Sequence, residues 1–257
     1  MSPVPLHYAV DGPEAAPVLV LGSALGTTGE IWRAQVPALS RSLRVVRYDH
    51  RGHGASPVPP GPYRLADLGG DVVALLDTLG VERAHLGGVS LGSMVALWVA
   101  AHHPERVDKL VLAGTAATLG PPENWRTRAA TVRDQGMAAV ASTVVDRWLP
   151  VEFADAHPEL RQLLLALVLA TPVEGYAAAC GALETADLRS DLARISAATL
   201  VLIGTDDPST PPELGRAVAR GIPDARVVEI TGAAHLAPVS HPDQVARLLT
   251  GFLAEPA

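Results

Sequence analysis

A chain of 257 residues with 48% apolar and 18% charged side chains can bury one large core, and this composition excludes a disordered or fibrous protein. The formal charge of −7, with no Lys/Arg cluster to offset it, argues against a nucleic-acid surface and would repel an anionic ligand unless a local cation received it. A single cysteine, Cys180, excludes an internal disulfide and fits a reducing, cytoplasmic compartment. In chain order, residues 1–7 carry no basic region ahead of an apolar run, so no signal peptide is expected. Residues 18–21 and 43–46 read as strands. Residues 65–79 read as an amphipathic helix, with Leu68, Val72, Leu75, Leu76 and Leu79 at helical spacing. Residues 84–87 form an apolar run that leads through a glycine-flanked turn into a helical stretch at 91–101, and residues 110–112 read as a further strand.

From 119 to 188 there is no strand pattern but four helical stretches, at 123–135, 137–148, 158–170 and 173–185. Prolines 121, 122, 150, 158 and 172 punctuate them. Within them, the longest apolar run, residues 163–170, is too short to span a bilayer and reads as a buried helix. Strands resume at 199–203 and 226–230. Alternation of this kind predicts an α/β fold with a mostly parallel central sheet and helices on both faces. The helical insertion is either a long crossover or, as its four helices suggest, a cap over the carboxyl edge of the sheet, where ligands bind. This divides the chain into a core, residues 1–118 and 189–257, and a helical cap, residues 119–188.

The most informative motif is Gly88-Val89-Ser90-Leu91-Gly92, placed between a strand and a helix. A serine on so sharp a turn is strained, and flanking glycines are needed because side chains there would collide with the neighbouring strand or helix. The strain holds a hydroxyl clear at a helix N-terminus, where a nucleophile is useful. Such a serine needs a base, and the base needs an acid to fix its tautomer. Two later loops supply candidates: Asp206 and Asp207 after the strand at 199–203, and His235 after the strand at 226–230. Spacing alone does not choose between the two aspartates. His50 and His53 are spaced like metal ligands but lack a nearby third ligand, so they read as parts of a Gly-rich loop.

With these residues the chain resembles the α/β-hydrolase superfamily. The segment Tyr48-Asp49-His50-Arg51-Gly52-His53-Gly54-Ala55-Ser56 is similar to that superfamily's loop after its fourth strand. The family pattern Gly-x-x-Asp-x-x-x-Pro falls on Gly204, Asp207 and Pro211, so the resemblance implies a triad of Ser90, Asp207 and His235. It also implies an oxyanion hole made by the backbone N–H groups of Leu91 and Ala24. Gly22 stands where many relatives carry histidine.

The closer resemblance, over almost the whole length, is to the 3-oxoadipate enol-lactonases of the β-ketoadipate pathway of aromatic catabolism. Leu25-Gly26-Thr27-Thr28, Ala101-His102-His103-Pro104-Glu105-Arg106-Val107 and, in the insertion, Trp125-Arg126-Thr127-Arg128 and the run Thr171 to Cys180 carry it. Ser23-Ala24 departs from the Asn-Ser more common there. The resemblance implies serine-based opening of a small anionic enol-lactone, with no metal or cofactor required and no nucleic-acid or membrane partner. Trp125 and Arg128, three residues apart on a predicted helix, share a face on which an indole and a guanidinium would suit a flat carboxylate. Trp148 is a further candidate for the pocket wall, and Arg126 and Arg133 are alternative cations. The same residues admit a general carboxylesterase, a cofactor-free haloperoxidase-like enzyme, or a hydrolase-fold ligand receptor. Oligomeric state has no sequence signature here, nor has the existence of a fused decarboxylase domain.

Overall fold

A computed structural model describes residues 1–255; of the C-terminal Ala254-Glu255-Pro256-Ala257, the last two lie outside it. Its framework is a seven-stranded sheet in the order β1-β3-β2-β4-β5-β6-β7. The strands are β1 (Tyr8–Asp11), β2 (Val18–Gly22), β3 (Arg44–Tyr48), β4 (Ala84–Val89), β5 (Val107–Ala113), β6 (Ala198–Gly204) and β7 (Ala225–Ile230). Only β1 is antiparallel, pairing along β3 with Tyr8 opposite Tyr48; every other pairing is parallel. β2 and β4 are buried along their whole length, as the near-continuous apolar runs of a parallel sheet covered on both faces require.

The helices of the first half are α1 (Val36–Leu39), α2 (Leu65–Thr78) and α3 (Leu91–His102). α2 starts where the Asp67 carboxylate accepts the Arg64 N–H at 2.8 Å, satisfying a donor that the helix leaves free. It packs on α3, which lies against β2, β4 and β5. Between β5 and β6 come α4 (Pro122–Gln135), α5 (Ala138–Val145), α6 (Val151–Ala156), α7 (Pro158–Ala170) and α8 (Val173–Glu184). Prolines at or just before the first turn of α4, α6, α7 and α8 set these starts, since a missing N–H costs nothing there. The last three helices are α9 (Pro212–Gly221), on β6 and β7, then α10 (Ala237–Ser240) and α11 (Pro242–Ala254), which packs on α1.

Three expectations need correction. The sequence pattern missed β1 and α6, so the insertion holds five helices, and its second one stops at Val145. The apolar run at 163–170 does not make a buried helix. Only Leu164 and Val168 of α7 are buried, whereas Leu163 and Leu169 are 50% and 51% exposed. α8 is the buried helix of this region: Gly175 through Leu183 are enclosed, and its main partner is α4. Among the described residues no single helix is long and apolar enough to cross a membrane.

The register brings the ends of the parallel strands level, with Gly22 opposite Gly88, Val89 opposite Ala113 and Gly204 opposite Ile230. The loops that leave β2, β4, β6 and β7 therefore meet at one edge. They carry Ala24, Ser90, Asp207 and His235.

Candidate active site

Ser90 follows β4 directly and precedes the first residue of α3. Among the described residues it alone combines a side chain with positive φ, at φ 57° and ψ −116°. That conformation costs a non-glycine residue free energy and persists only where its surroundings enforce it. Here they do: the Ser90 N–H donates to Ala113 O at 3.0 Å, and its carbonyl accepts the Met94 N–H at 3.1 Å. Ser93 stiffens the turn from below, its hydroxyl lying 2.7 Å from Gly88 O and 2.8 Å from Ala113 O. A Cβ on Gly88 would come within 2.3 Å of the Gly92 backbone, and one on Gly92 within 2.4 Å of Gly22. Both glycines of the motif are thus demanded by close approach, one of the helix to the strand end and one of the helix to β2.

Asp207 lies in the loop after β6 and His235 in the loop after β7. Asp207 Oδ2 is 2.8 Å from His235 Nδ1, both side chains are buried, and Asp206 instead accepts from the Thr205 hydroxyl in an exposed position. The pairing selects Asp207. Its carboxylate also accepts from Ser209 N–H at 2.7 Å, Thr210 N–H at 3.0 Å and the Thr210 hydroxyl at 2.5 Å. Burial pushes this carboxyl up, but His235 and the Thr210 donors outweigh it and hold it below its ordinary value. An ionised Asp207 fixes the proton of His235 on Nδ1 and leaves Nε2 as the basic atom. Thr210, which lies 3.3 Å from His235 Nδ1 as well, was not singled out from sequence.

The loop after β2 is pinned from the β3 side. His50 Nε2–H donates to Ser23 O at 3.0 Å, and His53 Nε2 accepts the Gly26 N–H at 3.0 Å while its Nδ1–H donates to Arg51 O at 3.2 Å. The Gly92 N–H also donates to Ser23 O, at 3.0 Å. Ala24 O accepts from both the N–H and the hydroxyl of Thr27, at 3.0 and 2.8 Å. Burial lowers the imidazole of His50 to about 3 and that of His53 to about 4, so both rings are neutral as these bonds require. Within this frame the N–H groups of Ala24 and Leu91 donate to no acceptor among the described residues. Leu91 is moreover the first residue of α3, where the helix favours negative charge. The departure at Gly22 also has a cause: a Cβ there would come within 2.6 Å of the Tyr48 hydroxyl and 3.0 Å of Gly92.

Ser90, His235 and Ala24 line an inner cavity of about 60 Å³. Trp125, Arg128 and Trp148 line both it and an adjoining outer cavity of about 290 Å³, so the two form one cleft between the strand ends and the helical insertion. Trp125 and Arg128 share a face of α4 as expected, with the guanidinium 4.7 Å above the indole ring. Arg126 and Arg133 are engaged elsewhere, with Glu184 at 2.8 Å and Glu174 at 3.1 Å. Arg128 has no carboxylate partner among the described residues, and no Asp or Glu among them lines the cleft. In a chain of charge −7 this is a locally cationic pocket. Tyr176, on α8, completes the inner wall and was absent from the sequence-based candidates.

Ser90 Oγ makes no hydrogen bond to His235 among the described residues, but the two line one cavity, where these groups could pass a proton from the serine hydroxyl to the imidazole and offer two amides to an oxyanion, beside a guanidinium suited to an anion. Known proteins share the architecture. The family model described as alpha/beta hydrolase fold matches residues 17–146, and one described as TAP-like protein matches residues 170–257. The 3-oxoadipate enol-lactonase 2 of Acinetobacter baylyi is 38% identical over 93% of this chain and 89% of its own. The crystal structure of the enol-lactonase from Burkholderia xenovorans LB400 superposes with a TM-score of 0.95 at 40% identity, covering 97% of this chain and 96% of that one. A thermophilic esterase from Thermogutta terrifontis, with malate bound, gives a TM-score of 0.92 at 31% identity over 96% and 92% of the two chains. On its family-model match and on relatives similar over nearly its whole length, the chain belongs to the α/β hydrolase family.

Proposed function

We propose that this protein hydrolyses 3-oxoadipate enol-lactone to 3-oxoadipate through an acyl-enzyme on Ser90. The observation that carries the reading is Arg128, which has no carboxylate partner among the described residues, in a cleft that no Asp or Glu among them lines, within the same inner cavity as Ser90 and the His235 base. This agrees with the activity named for the similar Acinetobacter and Burkholderia proteins. His235 Nε2 takes the Ser90 proton as Oγ attacks the lactone carbonyl, and the Leu91 and Ala24 amides receive the oxyanion. Collapse breaks the bond to the ring oxygen, which leaves as an enol, takes the proton from His235 and tautomerises to the ketone. A water deprotonated by His235 then attacks the acyl-enzyme, releasing the second carboxylate and returning the proton to Ser90. In this scheme segment 119–188 acts as a cap, α4 supplying Arg128 and Trp125 to the substrate, with Trp148 closing the wall. A single, buried cysteine supports work in a reducing, cytoplasmic setting.

Turnover of freshly generated enol-lactone, compared with 4-nitrophenyl acetate, tests the assignment. We expect kcat/KM for the lactone to exceed that for the neutral ester by about 30- to 150-fold, since a charge-assisted contact contributes about 2–3 kcal/mol. Equal or better rates on the neutral ester would make the protein a general carboxylesterase.

A further inference from the structure

Acyl transfer leaves the Tyr176 hydroxyl of the inner cavity unused. The side chain of Tyr176 is completely enclosed, at 0% exposure, and its phenol oxygen makes no hydrogen bond of good geometry among the described residues, although the Arg128 guanidinium lies close enough to interact with it. Yet it lines the same cavity as Ser90, His235 and Arg128. A buried hydroxyl without a well-formed hydrogen bond is costly and calls for an explanation.

The residue is also rigidly placed. The neighbouring Gly175 abuts Gly52 so closely that a Cβ on it would come within 2.0 Å of the Gly52 carbonyl oxygen. One turn further along α8, Ala178 O accepts the Tyr63 N–H at 2.9 Å. The Tyr176 ring itself fills the space beside Gly26, where a Cβ would meet it at 3.0 Å. A hydroxyl held this firmly and left without a well-formed internal hydrogen bond is preorganised for a ligand atom.

We propose that Tyr176 is a substrate-binding residue whose Oη–H donates to the carboxylate of the bound lactone, while Arg128 holds the same carboxylate from the α4 side. The inference rests on the lactonase reading above and adds to it a second, neutral donor that selects short carboxylated substrates. Burial pushes the Tyr176 phenol up to about 12, against the pull of the nearby Arg128 guanidinium, so it stays protonated and able to donate at neutral pH. A donor pair of this kind recognises a carboxylate by geometry as well as by charge, because its two groups come from different helices.

Tyr176→Phe removes only the oxygen and keeps the ring against Gly26. For the enol-lactone the expected result is a KM raised about tenfold or more with kcat within about twofold, and for 4-nitrophenyl acetate a clearly smaller effect, within about threefold. Adipate, as a plain dicarboxylate probe, should inhibit 4-nitrophenyl acetate hydrolysis by the parent enzyme, with Ki rising by a similar factor in the variant. An unchanged lactone KM and adipate Ki overturn the proposal, as does an equal loss on the neutral ester, which would mark a packing role. Failure of adipate to inhibit the parent enzyme overturns it too. Tyr176-dependent adipate binding without lactone turnover would uphold the carboxylate site and dismiss the lactonase reading alone.

Discussion

At the scale of single residues, the backbone of Ser90 is the costliest choice in the site. A side chain at φ 57° is tolerated because Ala113 O and Met94 N fix both ends of its peptide unit. Ser90→Ala keeps that geometry and removes only the hydroxyl, so the protein should remain folded while kcat falls by about 10⁴-fold or more. Circular dichroism and steady-state turnover check the two halves; retention of most activity rules out covalent catalysis at this position. Ser90 was marked in the sequence by its own glycine-flanked motif, whereas spacing alone left Asp206 beside Asp207; the family pattern favoured Asp207, and the structure pairs that carboxylate with His235. Thr210 and Tyr176 had no such mark. The Thr210 hydroxyl gains meaning only from lying 2.5 Å from Asp207, and Tyr176, in an alanine-rich helical run, has the sequence context of an ordinary core residue.

At the scale of elements, the loop after β2 shows how one segment positions another. His50 and His53, spaced like metal ligands, are instead the struts that hold residues 23–26 in place. His53→Ala would strand the Gly26 N–H and open a cavity beside the oxyanion loop, at a cost of about 1–3 kcal/mol. Loosening the Ala24 N–H, the donor proposed for the oxyanion, should lower kcat by at least about tenfold on the lactone and on neutral esters alike, with KM little changed. A loss confined to the lactone would contradict this, because the oxyanion forms with either substrate. Most of the longer elements were legible from periodicity, though α9 and α11 were not singled out, and the shortest were not legible. β1 is four residues of an edge strand whose existence depends on a distant partner, β3, and α6 has six residues between two prolines, too few to show a period. In α7 the opposite failure occurs: consecutive leucines mask the two faces, and packing on α5 and α6 decides that Leu164 and Val168 turn inward.

At the scale of the whole molecule, those same histidines tie stability to pH. In the unfolded chain both imidazoles take up protons below about pH 6.5. In the folded protein burial keeps His53 neutral down to about 4 and His50 down to about 3. Between those limits the unfolded state binds more protons, so stability is complete above about pH 6.5 and falls as the pH drops, at roughly 1.4 kcal/mol per pH unit for each group. Asp207 acts in the same direction but lower down. Its folded value is below the ordinary carboxylate value, so its contribution survives to about pH 4 and is lost only beneath that. Burial also lowers His85 and His241, which act in the same direction, so acid sensitivity between pH 6.5 and 4.5 belongs to these histidines together and not to Asp207. Urea unfolding at pH 7.5, 6 and 5 should show a midpoint that declines below pH 6.5. His53→Gln, which cannot titrate, should reduce that slope while leaving the parts due to His50, His85 and His241. A midpoint flat across the range, or a slope unchanged in the variant, would mean that acid reaches these rings without unfolding the loop they support.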